Sequence, residues 1–411
     1  MPFLEAVRLA LNTIRVQKLK SFFTLIGVTI GVMFLIAVVS IVQGMSNYVE
    51  NDFAGKLFGI NTFTLRRWNN FSDDDNVDWR EIQRRPRLFA NDAALVRSVL
   101  PQGSRAAITS ETFINASSQF NRPRQVQAIA TEADYFTIKK FNVDRGRAFG
   151  PQEVSVGSPV VVIGVEVAEH FFKELDPIGR SLRIAGIPYE VIGVIEKQGT
   201  VFGFSLDRMA IAPYTSPLQR AIMPRGDIET MVVQAPNALL VTDGIDAARE
   251  VLRAARKLPP GKADNFALET QDEAMAFFDG IKSKMVIFGT ALPAIGLVVG
   301  AMVIMNIMLV AVAERTREIG VRKALGARRR DILSQFLVES ATLSVVGAAI
   351  GIALGIGLAE IIAATTPLPA AVAPWSIFAA LTVGAGVGIV AGIYPASRAA
   401  RLDPIAALRQ E

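Results

Sequence analysis

Residues 314–333 read ERTREIGVRKALGARRRDIL, with seven Lys/Arg and three Asp/Glu in twenty positions. The flanks are apolar: Met285 to Ala313 holds no charged residue, and Leu333 to Ala364 holds only Glu339 and Glu360. A dense charged block between two membrane-length apolar runs is a segment held at one membrane face. Its positive excess assigns the cytoplasmic face, because Lys and Arg in short loops set orientation. Ile319, Arg322, Lys323 and Gly326 recur at three- and four-residue steps, so a short surface helix is expected. Gly326 suits its C-terminus, where a left-handed residue costs glycine nothing. On charge alone an ordinary positive-inside loop is the simpler reading, and the rest of the chain has to decide.

The totals are those of a membrane protein with a large water-exposed part. Hydrophobic residues make up 51% of the 411, mean hydropathy is +0.36 and charged residues are 20%, below the usual quarter. The net charge of +5 does not imply nucleic acid, because the positive excess sits beside apolar runs, where orientation and lipid headgroups account for it. Cysteine is absent, which excludes disulfides, thiol catalysis and Cys-based zinc sites.

In chain order, residues 1–20 show an amphipathic pattern with Arg8, Arg15, Lys18 and Lys20 off the apolar face, as for a helix lying in the interface. Ser21 to Gly44 is uncharged over 24 residues and long enough to span. It is too long for a signal-peptide core and no A-x-A site follows, so an uncleaved anchor is expected. Met45, Tyr48, Val49, Phe53 and Leu57 continue the helical spacing over 45–58, and Gln271 to Lys284 does the same on the return side. The two are expected to pair as a stalk, covering 45–58 and 271–292, with a kink at Pro293.

Residues 59–270 read as a soluble α/β domain of two lobes, one of them inserted at about 149–226. Short β-branched runs alternate with helical patterns and are bounded by Gly/Pro turns. The further spans are expected at 293–313, 333–364 and 375–393, with 314–332 as the charged helix and turn and 394–411 as a basic tail. Gly347, Gly351 and Gly355 form a small-residue row in the third span, and Gly384, Gly388 and Gly392 another in the fourth. Gly27 with Gly31 and Gly296 with Gly300 do the same in the first two. Such rows let helix backbones approach closely, within a bundle or against a partner. The topology closes with both termini cytoplasmic and one large outer domain.

No catalytic constellation emerges. His170 is the single histidine and fits a solvated helix position, so no metal site is expected. Asp73, Asp74 and Asp75 lack the spacing of a calcium loop. No Gly-x-x-x-x-Gly-Lys-Ser/Thr occurs, so no phosphate loop for ATP is present. Glu339 is the one ionisable candidate inside a span. It is expected to pair with Arg322, Lys323 or another helix rather than carry protons. Thr200 to Phe204 (TVFGF) reads as a core-facing strand end, with docking of an adaptor through Phe202 and Phe204 as the alternative.

These segments resemble the MacB/FtsX-like permeases of ABC transporters. LNTIRVQKLKSFFTLIGVTIGV is similar to that family's amphipathic helix and first span. Tyr135-Phe136, Gly146-Arg147-Ala148-Phe149, VVVIGVEVAEHFF and DPIGRSLRIAGIPYEVIGVI resemble its periplasmic core motifs. ERTREIGVRKALGARRRDIL, FLVESATLSVVG and YPASRAARLDPIAALR resemble its C-terminal permease domain. The resemblance implies a bacterial inner-membrane protein without a cofactor of its own, ATP and Mg being bound by a separate cytoplasmic ATPase. It implies that Glu314, Arg315, Arg317, Glu318, Ile319, Arg322, Lys323, Leu325 and Gly326 form the coupling helix docked on that ATPase. A homodimer, or a heterodimer with a homologous permease, is implied as well. Efflux or extrusion of periplasmic substrates, with an adaptor and an outer-membrane channel, is the leading expectation. Lipoprotein or lipid extraction, and control of a periplasmic enzyme without transport, use the same architecture.

Overall fold

The structure, a computed structural model, describes residues 18–49, 59–71, 79–173, 175–201 and 203–409. The expected interfacial helix (all but its last three residues), most of the first stalk, Asp73 to Asp75 and Phe202 lie outside the described residues. The chain divides into two compact units, one of Met1–Tyr48 with Ile281–Glu411 and one of Val49–Gly280.

In the helical unit, four helices are long and apolar enough to cross a membrane. They are α1 (Lys18–Tyr48) and, after the sheet unit, α9 (Gln271–Glu314), α11 (Arg329–Thr365) and α12 (Pro374–Arg401). Between and after them lie two short helices, α10 (Thr316–Ala324) and α13 (Pro404–Arg409). Helix α9 runs through Pro293 as one 44-residue element, about 66 Å at 1.5 Å per residue. Helix α11 starts four residues before the apolar run, at Arg329, and α12 continues past its apolar run to Arg401. Apolar composition marks the hydrocarbon region, whereas a helix ends where its caps are. Here the Asp331 carboxylate accepts from the Arg328 backbone N–H at 3.0 Å and fixes the start of α11.

Helix α11 is the centre of the bundle, and its small residues explain why. The row Gly347, Gly351, Gly355 lies on α1: a Cβ at Gly351 would stand 2.6 Å from the Thr29 carbonyl oxygen, and one at Gly355 2.8 Å from Ile36 Cβ. Gly384, Gly388 and Gly392 of α12 lie on Ser344, Ala348 and Ser340 of α11. Hydroxyls answer backbone carbonyls at these crossings, Thr29 Oγ1 to Gly347 at 3.1 Å and Ser344 Oγ to Gly384 at 2.5 Å. Gly27 meets Gly300 of α9, so all these rows are used within the chain.

The sheet unit is built in chain order from β1 (Thr62–Arg66), α2 (Trp79–Arg84), β2 (Leu88–Phe89), α3 (Ala90–Val99), β3 (Arg105–Ser117), β4 (Arg124–Thr131), α4 (Asp134–Ile138), β5 (Val143–Gly146), α5 (Pro151–Val156) and β6 (Val160–Ile163). It continues with α6 (Val165–Phe172), β7 (Ser181–Ile184), β8 (Ile187–Ile195), β9 (Thr200–Val201), β10 (Phe204–Ser205), β11 (Met209–Pro213), α7 (Pro217–Ile222), β12 (Asp227–Ile228), β13 (Thr230–Gln234), α8 (Leu239–Ala255) and β14 (Ala267–Thr270). Among the described residues ten strands form one sheet, in the order β14-β1-β13-β3-β4-β11-β6-β8-β5, with β7 against β3 and β8.

The segment expected as an inserted lobe has its own core but not its own sheet. Val161, Ile163, Phe171, Phe172 and Tyr189 are buried there with Ala128 and Ala130 of β4. The other core packs Phe63, Leu65, Met231 and Val233 under Ala93 and Val96 of α3 and Ala248 and Leu252 of α8. The two join where β11 runs parallel to β4, pairing Ala210, Ile211 and Ala212 with Ala128, Ile129 and Ala130. Strands apolar on both faces are buried on both sides, and a periodicity reading cannot assign such a strand to one lobe. The inserted part also begins earlier than 149, since β5 forms the far edge on β8. The polar stretch 68–87 contains α2.

A candidate coupling surface at the charged end of the helical unit

Helix α9 ends at Glu314 because Arg315 leaves helical geometry, at φ −102° and ψ 14°. Thr316 Oγ1 donates back to the Val312 and Ala313 carbonyls at 3.0 and 2.9 Å, satisfying groups that the helix end leaves open. At the other end, Gly326 takes φ +95°. Its N–H donates to the Lys323 carbonyl at 3.1 Å, and that of Ala327 donates to Arg322 at 3.1 Å. That paired bonding is a Schellman termination, which a non-glycine residue would strain. The turn at Gly326 stands where the sequence put it.

The inward face of α10 is fastened at four points. Ile319 is buried, and a Cβ at Gly320 would stand 2.7 Å from Ala407 Cβ of α13. Arg315 Nη1 lies 3.1 and 3.3 Å from the two carboxylate oxygens of the buried Glu339 in α11. Arg322 donates to Glu318 at 2.5 Å and to Gln335 at 3.1 Å. Lys323 Nζ donates to the carbonyls of Ala400 and Leu402 at 2.8 and 2.6 Å, where α12 ends. A cation on C-terminal carbonyls also meets the negative end of the helix dipole.

This geometry bears on two expectations. Glu339 pairs with Arg315, not with Arg322 or Lys323, because the break at residue 315 turns that guanidinium back onto α11. Arg322 and Lys323, expected among the docking residues, are half-buried and spend their donors inside the unit. The outward face holds Arg317, Glu318, Val321, Ala324, Leu325 and Gly326, followed by Arg328, Arg329 and Arg330. Leu325 is 84% exposed and Val321 43%, and Ile405 of α13 is 71% exposed. Glu314 is exposed and has a bonding partner. Sequence reasoning missed Val321 and Ile405. The four-residue step from Arg317 through Val321 to Leu325 was the available signal for the first, and for the second only packing shows that α13 lies beside α10.

Elsewhere, Phe204 is 75% exposed on the β9–β10 hairpin, so the reading of a core-facing strand end does not hold for it. His170 is half-buried rather than solvated, its Nε2 3.1 Å from the Arg122 carbonyl. Among the described residues no group of three His, Cys, Asp or Glu could hold a metal ion.

Residues 21–252 match the MacB-like periplasmic core domain, and residues 290–404 match the FtsX-like permease C-terminal domain. An uncharacterized ABC transporter permease, YknZ of Bacillus subtilis, is 28% identical over the full length of both chains. The macrolide export ATP-binding/permease protein MacB of Acinetobacter baylyi is 30% identical over 99% of this chain, which spans 60% of that protein's length. MacB of Bdellovibrio bacteriovorus is 29% identical over 99% of this chain and 62% of its own. Among solved structures, the periplasmic region of MacB from Actinobacillus actinomycetemcomitans gives a TM-score of 0.45 at 18% identity, covering 57% of this chain and 98% of that one. With four membrane-length helices, a MacB-like core domain and a matching permease C-terminus, the chain belongs to the MacB/FtsX-like ABC transporter permeases.

Proposed function

We propose that this chain is the permease subunit through which a separate cytoplasmic ATPase moves an extracytoplasmic sheet unit, and that the ATPase docks on the outward face of α10. One observation carries this reading: α10 is pinned to α11 by Arg315–Glu339 and to the end of α12 by Lys323, while its outer face exposes Val321 and Leu325. A short helix fixed on one side and free to meet a partner on the other transmits displacement to what it is fixed to. ATP and Mg belong to the partner ATPase in this reading, the membrane is the bacterial cytoplasmic membrane, and the permease acts in two copies or beside a homologous one. No midplane charge set of the kind that ion-driven transport uses is seen among the described spans.

Efflux or extrusion is the favoured task, supported by likeness to proteins named for macrolide export. Phe204, exposed on its hairpin, is a suitable contact for a periplasmic adaptor linked to an outer-membrane channel. Purification of the tagged chain from solubilised membranes tests both levels. An ATPase should accompany the wild type and be lost from L325D. An adaptor would support efflux, whereas a lipoprotein or a hydrolase in its place would redirect the reading to extraction or enzyme control. Recovery of no ATPase with the wild type would refute it.

A further inference from the structure

Helix α12 carries its own depth scale. Trp375 and Tyr394 are both exposed and stand 19 residues apart, about 28 Å along the helix. That matches the roughly 30 Å of a hydrocarbon core, whose two boundaries Trp and Tyr side chains mark. Phe378, Val390 and Ile393 lie exposed between them, as the residues of a lipid-facing stripe do. Arg398 and Arg401 are exposed one and two turns beyond Tyr394, on the side of the helix that Val390 and Tyr394 hold. Their guanidinium groups therefore stand at headgroup depth.

The start of α11 comes to the same level. Gly388 and Gly392 of α12 lie on Ser344 and Ser340 of α11, and the antiparallel register continued from there sets Arg401 level with Arg330. The packing holds to these ends, since Ala396, Ala399 and Ala400 share one buried cluster with Ile332 and Phe336. Arg329 and Arg330 are exposed, so two adjacent helix ends, with axes about 8–10 Å apart, present arginines at one rim. Among the described residues no acceptor is bonded to the side chains of Arg329, Arg330, Arg398 or Arg401. The carboxylates of these ends, on Asp331 and Asp403, accept from the backbone N–H groups of Arg328 and Ile405 at 3.0 and 2.9 Å. The cations that fasten α10 differ in this respect, since Arg315, Arg322 and Lys323 all have partners within the unit.

From this juxtaposition we infer that the rim formed by the ends of α11 and α12 binds the headgroup of an acidic phospholipid with two phosphates, cardiolipin. Arginine forks match phosphate oxygens, and basic clusters between span ends suit anionic headgroups. One phosphate meets Arg398 and Arg401, the other meets Arg329 and Arg330, and the acyl chains lie along the exposed stripe of α12. A neutral headgroup leaves this excess of positive charge unanswered, and a soluble anion leaves the stripe uncovered. The inference rests on the membrane reading of the spans and not on where the ATPase docks.

The test uses the full chain in detergent, without ATPase, and native mass spectrometry with cardiolipin, phosphatidylcholine and inorganic phosphate as probes. On the wild type, cardiolipin should bind at least about tenfold more tightly than phosphatidylcholine, and phosphate in excess should not displace it. R398Q/R401Q and R329Q/R330Q should each weaken cardiolipin binding about tenfold, whereas R398K/R401K should keep most of it. R183Q/R220Q makes the same charge change on exposed arginines of the sheet unit and should bind like the wild type. Because the lipids are compared on the wild type, that arm decides even where a variant folds poorly. The inference is overturned if phosphatidylcholine binds as tightly as cardiolipin, if phosphate displaces the lipid, or if neither arginine pair weakens binding more than R183Q/R220Q does.

Discussion

Arg315 Nη1 reaches both carboxylate oxygens of Glu339, 24 residues further along the chain, at 3.1 and 3.3 Å. Glu339 keeps 9% of its side-chain surface exposed and Arg315 32%. A buried carboxylate needs a partner cation, and removing one partner of a buried pair costs about 3–5 kcal/mol. R315M should therefore lower the unfolding temperature in detergent more than R315M/E339M, which removes both charges. The low end, about 3 kcal/mol, is expected because Arg315 keeps a third of its surface in water. Equal melting of the single and double variants would mean that the pair does not hold α10 in place.

Lys323 offers a second test of the same fastening. Its ammonium serves the last carbonyls of α12, and hydrogen bonds to charged groups are worth about 1.5–3 kcal/mol. K323M should make the segment from Pro395 to Arg409 open to limited proteolysis while K323R keeps much of the protection. If K323M resists cleavage like the wild type, the cation does not tie α10 to α12.

Docking should be separable from folding. L325D, V321D and I405D change side chains that are 84%, 43% and 71% exposed, so each should leave thermal unfolding within about 0.5 kcal/mol of the wild type. L325D and V321D should abolish co-purification of the ATPase, and I405D should weaken it. Retention of the ATPase by L325D and V321D together would place the docking surface elsewhere. If the variants lose lipid binding instead, this face meets headgroups.

The glycine rows predict a graded response. G351V puts branched carbons where a Cβ already meets the Thr29 carbonyl, whereas nothing lies within 4 Å of a Cβ at Gly386 on α12. Overpacking of this kind costs about 1–3 kcal/mol, and alanine gains up to about 1 kcal/mol over glycine in a helix. G351V should thus unfold at lower temperature and G386A at the same temperature or a higher one. Similar losses from both would show that the rows are not crossing points.

Much of this was legible in the sequence because the hydrocarbon core imposes length and charge rules that leave few alternatives. The four spans, the short helix between the second and third, and the turn at Gly326 came from apolar runs, basic excess and one glycine. The exposed side of α10 did not. Arg322 and Lys323 look like the obvious contact residues by charge, but a lysine beside a helix end serves carbonyls that only the folded chain brings near. Glu339 was recognisable as a paired residue, and its partner was not, since both residues named from sequence lie about two turns beyond the break at Arg315. In the sheet unit, individual strands followed from β-branched runs. The joining of β4 to β11, which makes two lobes share one sheet, depends on a parallel pairing about 80 residues apart that local pattern does not encode.

The central claim is that movement of α10 reaches the sheet unit. A nitroxide on L239C, a position 84% exposed in α8, gives one label per copy because the chain has no native cysteine. With the ATPase bound in nanodiscs, the distance between the two labels of the assembly should change when the ATPase is trapped with ATP. The change should vanish in K323M/R315M under conditions where the ATPase still binds and hydrolyses ATP. A distance that does not respond to ATP trapping in the wild type, or that responds equally in the variant, would contradict the account.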